Sequence, residues 1–459
     1  MPSSSPPPRR AWIRRLVFSL LPVTLLLLAA ELGLRASGWQ GSSIAEIQAT
    51  QGFAHRYYVA QRDRVLGPWF ERGRSTDGLP WARSNPALVP RGFHDQNFPV
   101  DPPDQALVFA LGGSTTQGIP YELEERGFPQ RLEGLFADGG WRGRPVRVIN
   151  AGVAGMDSSS FPRMAREAID LGADALLIYA GNNEIQGQLL RECTDPYGRG
   201  LARLGNRLIT LRWARDRWRA LQGWTPPDAP AMVDAQQACI ARSLDAQRAE
   251  GGQAPSAGGP RLDPGYQRVV DGFAHGIEEV IEQADDAGIP VWLGLPAVNL
   301  RTPPGLGDAS GSLDPSQQQR LADLVRGASD HAEHDRPEQA LTLAEQALTL
   351  APGHARALWL AGEAQLALGQ PARAKALLQL AVDHDRLGRR TTSELIGVLQ
   401  ASCQAHPHVG CADVRAAFDR AAPDGIPGDT LFVDFCHPER EQGVQIIAEA
   451  FHAAMIDSD

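Results

Sequence analysis

The feature that most constrains this chain is a set of short apolar runs that stop at glycine or proline. ALVFALGGSTTQG, from Ala106 to Gly118, is five apolar residues followed by Leu111, Gly112 and Gly113. VRVINAGVAG (Val146 to Gly155) and DALLIYAGNNE (Asp174 to Glu184) repeat the pattern, and Ile289 to Pro296 is a further apolar run. Runs this short, bounded by Gly, Asn and Pro, read as buried strands rather than helices. Ser114 follows the first run, at the carboxyl end of a strand, where open α/β sheets place their sites. The flanking glycines let the backbone turn sharply and leave the hydroxyl uncrowded. The residues from Glu122 to Leu135 then read as a helix. Taken alone, Ser114 is equally a helix cap, and glycine-rich strand-to-helix turns also bind phosphate. Gly155 and the Gly181, Asn182, Asn183, Glu184 cluster close the other two runs. Gly and Asn are common in turns, but glycine N–H groups and an Asn amide are also the donors that acyl transfer needs around a developing oxyanion.

The last block is LFVDFCHPEREQG, from Leu431 to Gly443, with Asp434 and His437 three residues apart. That spacing fits one tight turn, on which the carboxylate holds one imidazole nitrogen while the other faces a pocket. The pair is weak by itself and gains meaning from the upstream blocks.

In these four blocks the chain resembles the SGNH (GDSL-type) hydrolases, over roughly residues 106–187 and 291–451. The resemblance implies Ser114 as nucleophile, in a variant where Gly113 stands for the usual Asp. It implies Gly155 (through its N–H) and Asn183 (through its side chain) as oxyanion donors beside the Ser114 N–H, His437 as general base and Asp434 as its orienting acid. The fold implied is α/β: a three-layer α/β/α sandwich on a central parallel sheet wound like flavodoxin. No cofactor and no metal is implied. The expected chemistry is attack of Ser114 on an ester carbonyl, with the acyl group passing to water or to another hydroxyl.

Length and charge bear on the surroundings. A chain of 459 residues has room for two or three domains. A net charge of −10 without a basic stripe argues against nucleic acid. Arg9, Arg10, Arg14 and Arg15 precede LVFSLLPVTLLLLAAELGL, from Leu16 to Leu34, whose roughly 19 residues suit one membrane span. A cleaved signal peptide is the competing reading, but with no clear small-x-small cleavage site after it the segment reads rather as an uncleaved signal anchor with the N-terminus in the cytoplasm. The expected location is therefore a bacterial-type inner membrane, single-pass, with the catalytic domain on the periplasmic side.

The expected organisation is a tail and signal anchor (1–35), an extended linker or packing segment (36–104), the first part of the hydrolase domain (105–320, with an insertion at about 189–263), a tetratricopeptide-like repeat pair (321–386) and the last part of the hydrolase domain (387–459). The repeats rest on a period of about 34 residues. Gly327, Ala328, Ala340, Ala347 and Pro352 mark the first unit, and Ala361, Gly362, Ala374 and Ala381 the second. They read as a docking surface for a protein or the acyl acceptor, or as a helical cap beside the active site. Within the insertion, LGNRLITLRWARDRWRALQGW reads as a lid helix over the cleft or as an amphipathic surface against lipid headgroups. Cys193–Cys239 and Cys403–Cys411 are the economical disulfides among five cysteines. That leaves Cys436 as a packing residue beside His437. CQAHPHVGC, with His406 and His408, has a faint metal-site look but reads as a disulfide or plain loop.

Three function classes follow: an esterase acting on an envelope ester, an O-acyltransferase on an envelope polysaccharide with the same residues, and a non-catalytic assembly protein that binds through its repeats. The expected partners are an ester or acylated-glycan substrate, a protein at the repeats and the membrane at the N-terminus, without nucleic acid.

Overall fold

The computed structural model describes residues 9–37, 68–86, 88–89, 93–121, 127–187, 209–222, 264–305, 313–386 and 388–457. They fall into two compact units, one from 1–54 and 194–235, the other from 55–193 and 236–459.

In the first unit, helix α1 (Arg9–Ala36) packs against a second described helix, Ile209–Leu221. Glu31 of α1 is buried, binds the Arg35 guanidinium at 2.7 Å, and accepts hydrogen bonds of 2.9 Å from both the N–H and the hydroxyl of Thr210. These contacts correct the expected anchor. The apolar run carries Pro22 inside the helix and a buried carboxylate with its own partners. No helix among the described residues is long and apolar enough to cross a membrane. The single-pass inner-membrane location and the membrane partner fall with it. Most of the surrounding 188–263 segment, with both Cys193 and Cys239, lies outside the described residues.

The second unit is built on five parallel strands: β4 (Ala106–Gly112), β5 (Val146–Gly152), β6 (Ala175–Tyr179), β7 (Val291–Gly294) and β8 (Val409–Ala412). Their order is β5-β4-β6-β7-β8, all parallel, with Gly112 in register with Gly152 and Tyr179. The chain therefore winds one way from β4 to β5 and the other way from β4 to β6. Such a reversal opens a crevice at the carboxyl ends of the two strands flanking it. Every residue of β4 and β6 is buried, as a parallel sheet covered by helices on both faces requires.

Strand side chains alternate between faces. Val108, Ala110, Leu177, Tyr179 and Trp292 share a core with helices α3 (Phe128–Leu135) and α13 (Gln442–Ile456), where Phe128 and Phe451 stack at 5.4 Å. On the other face α4 (Phe161–Asp170), α6 (Pro264–Ala287) and α11 (Ser393–Ala405) pack together. The 36–104 segment, expected to be extended, holds an antiparallel sheet of β1 (Phe70–Arg74), β2 (Pro80–Ser84) and β3 (Asn97–Pro99). Phe70 and Phe98 meet Phe109 of β4 edge-on at 5.9 and 5.6 Å, so aromatic burial fastens this sheet to the body.

Between β7 and α11 the described residues form four helices, α7 (Pro315–Glu333), α8 (Pro337–Leu350), α9 (Ala355–Ala367) and α10 (Pro371–Asp383). Pro337 and Pro371 open α8 and α10, one repeat period apart. The equivalent alanines Ala340 and Ala374, and Ala347 and Ala381, are all buried. Gly362 sits so close to Leu378 that an added Cβ would lie 2.7 Å from its Cγ. Small residues at these positions let the paired helices approach.

Candidate active site

Ser114 opens a four-residue helix, α2 (Ser114–Gln117), directly beyond β4. Gly113 precedes it, and the Gly118 cap in the left-handed region ends it. The helix is anchored to the end of β5. Gln117 is buried and its Oε1 accepts the Ala154 N–H at 2.7 Å. A Cβ at Gly152 would lie 2.2 Å from the Gln117 backbone nitrogen, so only glycine allows the close approach.

His437 comes from a tight turn between β8 and α13. The Val433 N–H donates to the His437 carbonyl at 3.0 Å, and Phe432 bridges Pro438. Asp434 Oδ1 accepts the backbone N–H groups of Cys436 and His437 at 2.9 and 2.8 Å. Its Oδ2 faces His437 Nδ1 at 2.6 Å, and His437 Nε2 stands 2.7 Å from Ser114 Oγ. Three groups from two distant stretches thus form one hydrogen-bonded line, with the serine and histidine buried. Burial pushes the Asp434 carboxyl up, but the hydrogen bond and charge of His437 and the two backbone N–H groups outweigh it. The carboxyl lies below its usual value. Burial drives the Cys436 thiol well above its ordinary value, which disfavours the thiolate that a nucleophile needs. Asp434, Cys436 and His437 lie close enough to suggest a metal cluster. Both His437 ring nitrogens are already engaged, by Asp434 and Ser114, which leaves that set poorly suited to one.

Of the other two blocks, the third comes beside Gly113 through Asn183, and Gly155 of the second neighbours the Met156 carbonyl that Asn183 binds. Gly155 lies in the left-handed region (φ 76°) in the turn after β5. Asn183, beyond β6, donates from Nδ2 to the Met156 carbonyl at 2.9 Å. A Cβ at Gly113 would lie 2.3 Å from that nitrogen. Glycine at 113, where the resembled family usually has Asp, therefore leaves the space the Asn183 amide occupies.

A tetratricopeptide repeat family model matches residues 331–389. No curated protein matches the chain. The tetratricopeptide helices touch the segment that leaves β7. Val298 and Leu300 pack with Ala374, Leu378 and Val382, and the Arg301 guanidinium pairs with Glu363 of α9 at 2.7 Å. The segment Pro296–Pro303, which follows β7, supports the histidine turn. Leu300 N–H donates to the Pro427 carbonyl, and Asn299 reaches Asp434 and Phe435.

Several residues at the site carried no sequence signal. Glu184 is buried and accepts from both the N–H and the hydroxyl of Ser158, bracing the turn after β5. Asn182 Oδ1 takes the Thr391 N–H and hydroxyl at 2.9 and 2.8 Å. Both belong to the GNNE cluster, which drew attention only for Asn183. Asn299 and Arg390 lie outside every block, and nothing in their neighbours marks them. The expected disulfide between Cys403 and Cys411 is formed, and Cys436 is free and buried. His406 and His408 face Glu278 and Asp285 of α6 at 2.9 and 3.2 Å, so the CQAHPHVGC loop is a disulfide-closed loop tied to that helix.

Proposed function

We propose that this protein is a serine hydrolase acting on ester bonds, with Ser114 as nucleophile, His437 as general base and Asp434 as its orienting acid. The observation that carries this reading is the unbroken line from Asp434 through His437 to Ser114, at 2.6 and 2.7 Å. A helix cap or a phosphate loop needs no imidazole on the serine hydroxyl and no acid behind it.

In the reaction, His437 Nε2 takes the Ser114 proton as Oγ forms a bond to the ester carbonyl carbon. The charge gathering on the carbonyl oxygen is held by the N–H groups of Ser114 and Gly155 and by the Asn183 amide. The Asn183 nitrogen carries two hydrogens, so the one given to Met156 fixes the amide and leaves the other for the oxyanion. The tetrahedral intermediate collapses as His437 returns the proton to the leaving alcohol. An acceptor then attacks the acyl-enzyme with His437 again as base, and Ser114 is regenerated. With water as acceptor the enzyme is an esterase. A sugar hydroxyl in its place gives an acyltransferase from the same groups. Asp434 holds the imidazole tautomer and stabilises imidazolium without taking the proton. The tetratricopeptide pair adds a surface of the kind that binds other proteins.

The test is fluorophosphonate labelling joined to turnover of an aryl acetate. Wild type is expected to be labelled at Ser114, and Ser114→Ala and His437→Ala are each expected to lose at least about 10³-fold in kcat. Unimpaired turnover in either variant, or the absence of a labelled Ser114, would move the reading to a non-catalytic binding protein.

A further inference from the structure

Asn299 is fully buried in the segment that follows β7, and all of its polar groups are engaged. Its backbone N–H donates to the Phe435 carbonyl at 3.1 Å. Its side-chain Nδ2 donates to the Asp434 carbonyl at 3.0 Å and to Asp429 Oδ1 at 2.7 Å. Its Oδ1 accepts the N–H groups of Arg301 and Thr302, which fixes the side-chain rotamer. Its own carbonyl accepts from Arg390, a buried arginine that also binds the Thr302 carbonyl at 2.7 Å. One residue thus grips two consecutive carbonyls of the turn that presents His437, and is itself clamped from behind.

We propose that Asn299 is a positioning residue. It holds the Asp434–Phe435 peptides so that the Asp434 carboxylate and the His437 ring keep their alignment on Ser114. Two features separate this role from ordinary core stability. The bonds go to the backbone of the catalytic turn rather than to a neighbouring strand or helix. An amide at this position also gives one donor to Asp434 and one to Asp429, so the two functions can be separated by mutation. Hydrogen-bonded supports of this kind typically change rates by about 10–100-fold when lost, because small misplacements of catalytic groups are costly. The idea rests on the hydrolase reading for its kinetic test, and on the geometry alone for its spectroscopic one.

The decisive comparison uses full-length protein carrying Asp429→Asn alone and the double exchange Asn299→Asp with Asp429→Asn. The single variant keeps the Asn299 donor on the Asp434 carbonyl and is expected to hold kcat within about threefold of wild type. The double variant rebuilds an amide–carboxylate pair between 299 and 429 but turns a carboxylate oxygen toward the Asp434 carbonyl. Its melting temperature is expected to stay close to that of the single variant, while kcat on an aryl acetate falls about 10–100-fold at unchanged KM. In parallel, the low-field proton resonance of the His437–Asp434 hydrogen bond is expected in wild type and the single variant and lost in the double. Wild-type kcat in the double variant, or a kcat loss matched by loss of folded protein, would overturn the proposal. If wild type shows no esterase activity at all, the hydrolase reading fails. The resonance then decides alone: its loss in the double variant supports the positioning role, and its persistence refutes it.

Discussion

At the scale of single residues, the site depends on how Asp434 is held. One carboxylate oxygen takes two backbone N–H groups of its own turn and the other takes the His437 ring. Acid and turn therefore define each other. Because the folded carboxyl lies below its unfolded value of about 3.9, the ionised form contributes stability that is complete above that value. The contribution is lost as the pH falls through the lower native value. Asp434→Asn is accordingly expected to melt below wild type at neutral pH, with the gap closing as the pH is lowered through the native value of the Asp434 carboxyl. A gap constant from neutral to acid pH, followed by calorimetry, would show that the carboxylate contributes nothing through its charge. At neutral pH the same variant is expected to lose about 10⁴-fold in kcat, since an amide cannot hold the productive imidazole tautomer.

At the scale of elements, β4, β5 and β6 end in register at one level of the sheet, and β4 is the point from which the winding reverses. The contact between β5 and α2 is the tightest part of this arrangement. Gly152→Ala would set a Cβ 2.2 Å from the Gln117 nitrogen and 2.6 Å from the Thr116 carbonyl carbon, both backbone atoms with little room to yield. The expected result is a loss of about 1–3 kcal/mol in stability together with a lower kcat, because the strain moves the helix that carries Ser114. Denaturant titration alongside turnover checks both, and a stable, fully active Gly152→Ala would contradict the packing argument. The same strands explain what the sequence made legible. A short apolar run ending in glycine carries its own signal, so β4, β5, β6 and β7 and the residues at their ends stood out. Asn299 and Arg390 did not, because a buried polar residue earns its role from partners brought by the fold, here as far away as residue 435. The leucine-rich N-terminal run misled for the opposite reason. Its hydropathy looked sufficient, while Glu31 had partners on Arg35 and Thr210 that no window of sequence reveals.

At the scale of the whole second unit, the repeats are built into the body. Two repeats fall short of the three or so that an autonomous solenoid needs. The shortfall is met by the segment from Val298 to Thr302, which the repeats cover and which in turn grips the His437 turn. Trp359 of α9 is a joint in this contact: its indole N–H donates to the Arg301 carbonyl at 3.0 Å, and its ring packs with the Val298 and Leu300 cluster under the Arg356 guanidinium. Trp359→Ala is expected to cost about 2 kcal/mol, less than a fully buried tryptophan. It should also lower kcat, since it loosens the segment holding Asn299. Glu338→Ala, in the exposed first turn of α8, is expected to change neither. Chemical denaturation followed by far-ultraviolet dichroism, with turnover measured on the same samples, distinguishes the alternatives. A single transition shifted to lower denaturant, with reduced activity, fits one cooperative unit in which the repeats support the site. Two separated transitions with full activity would mean that the helices fold on their own and that the histidine turn does not depend on them.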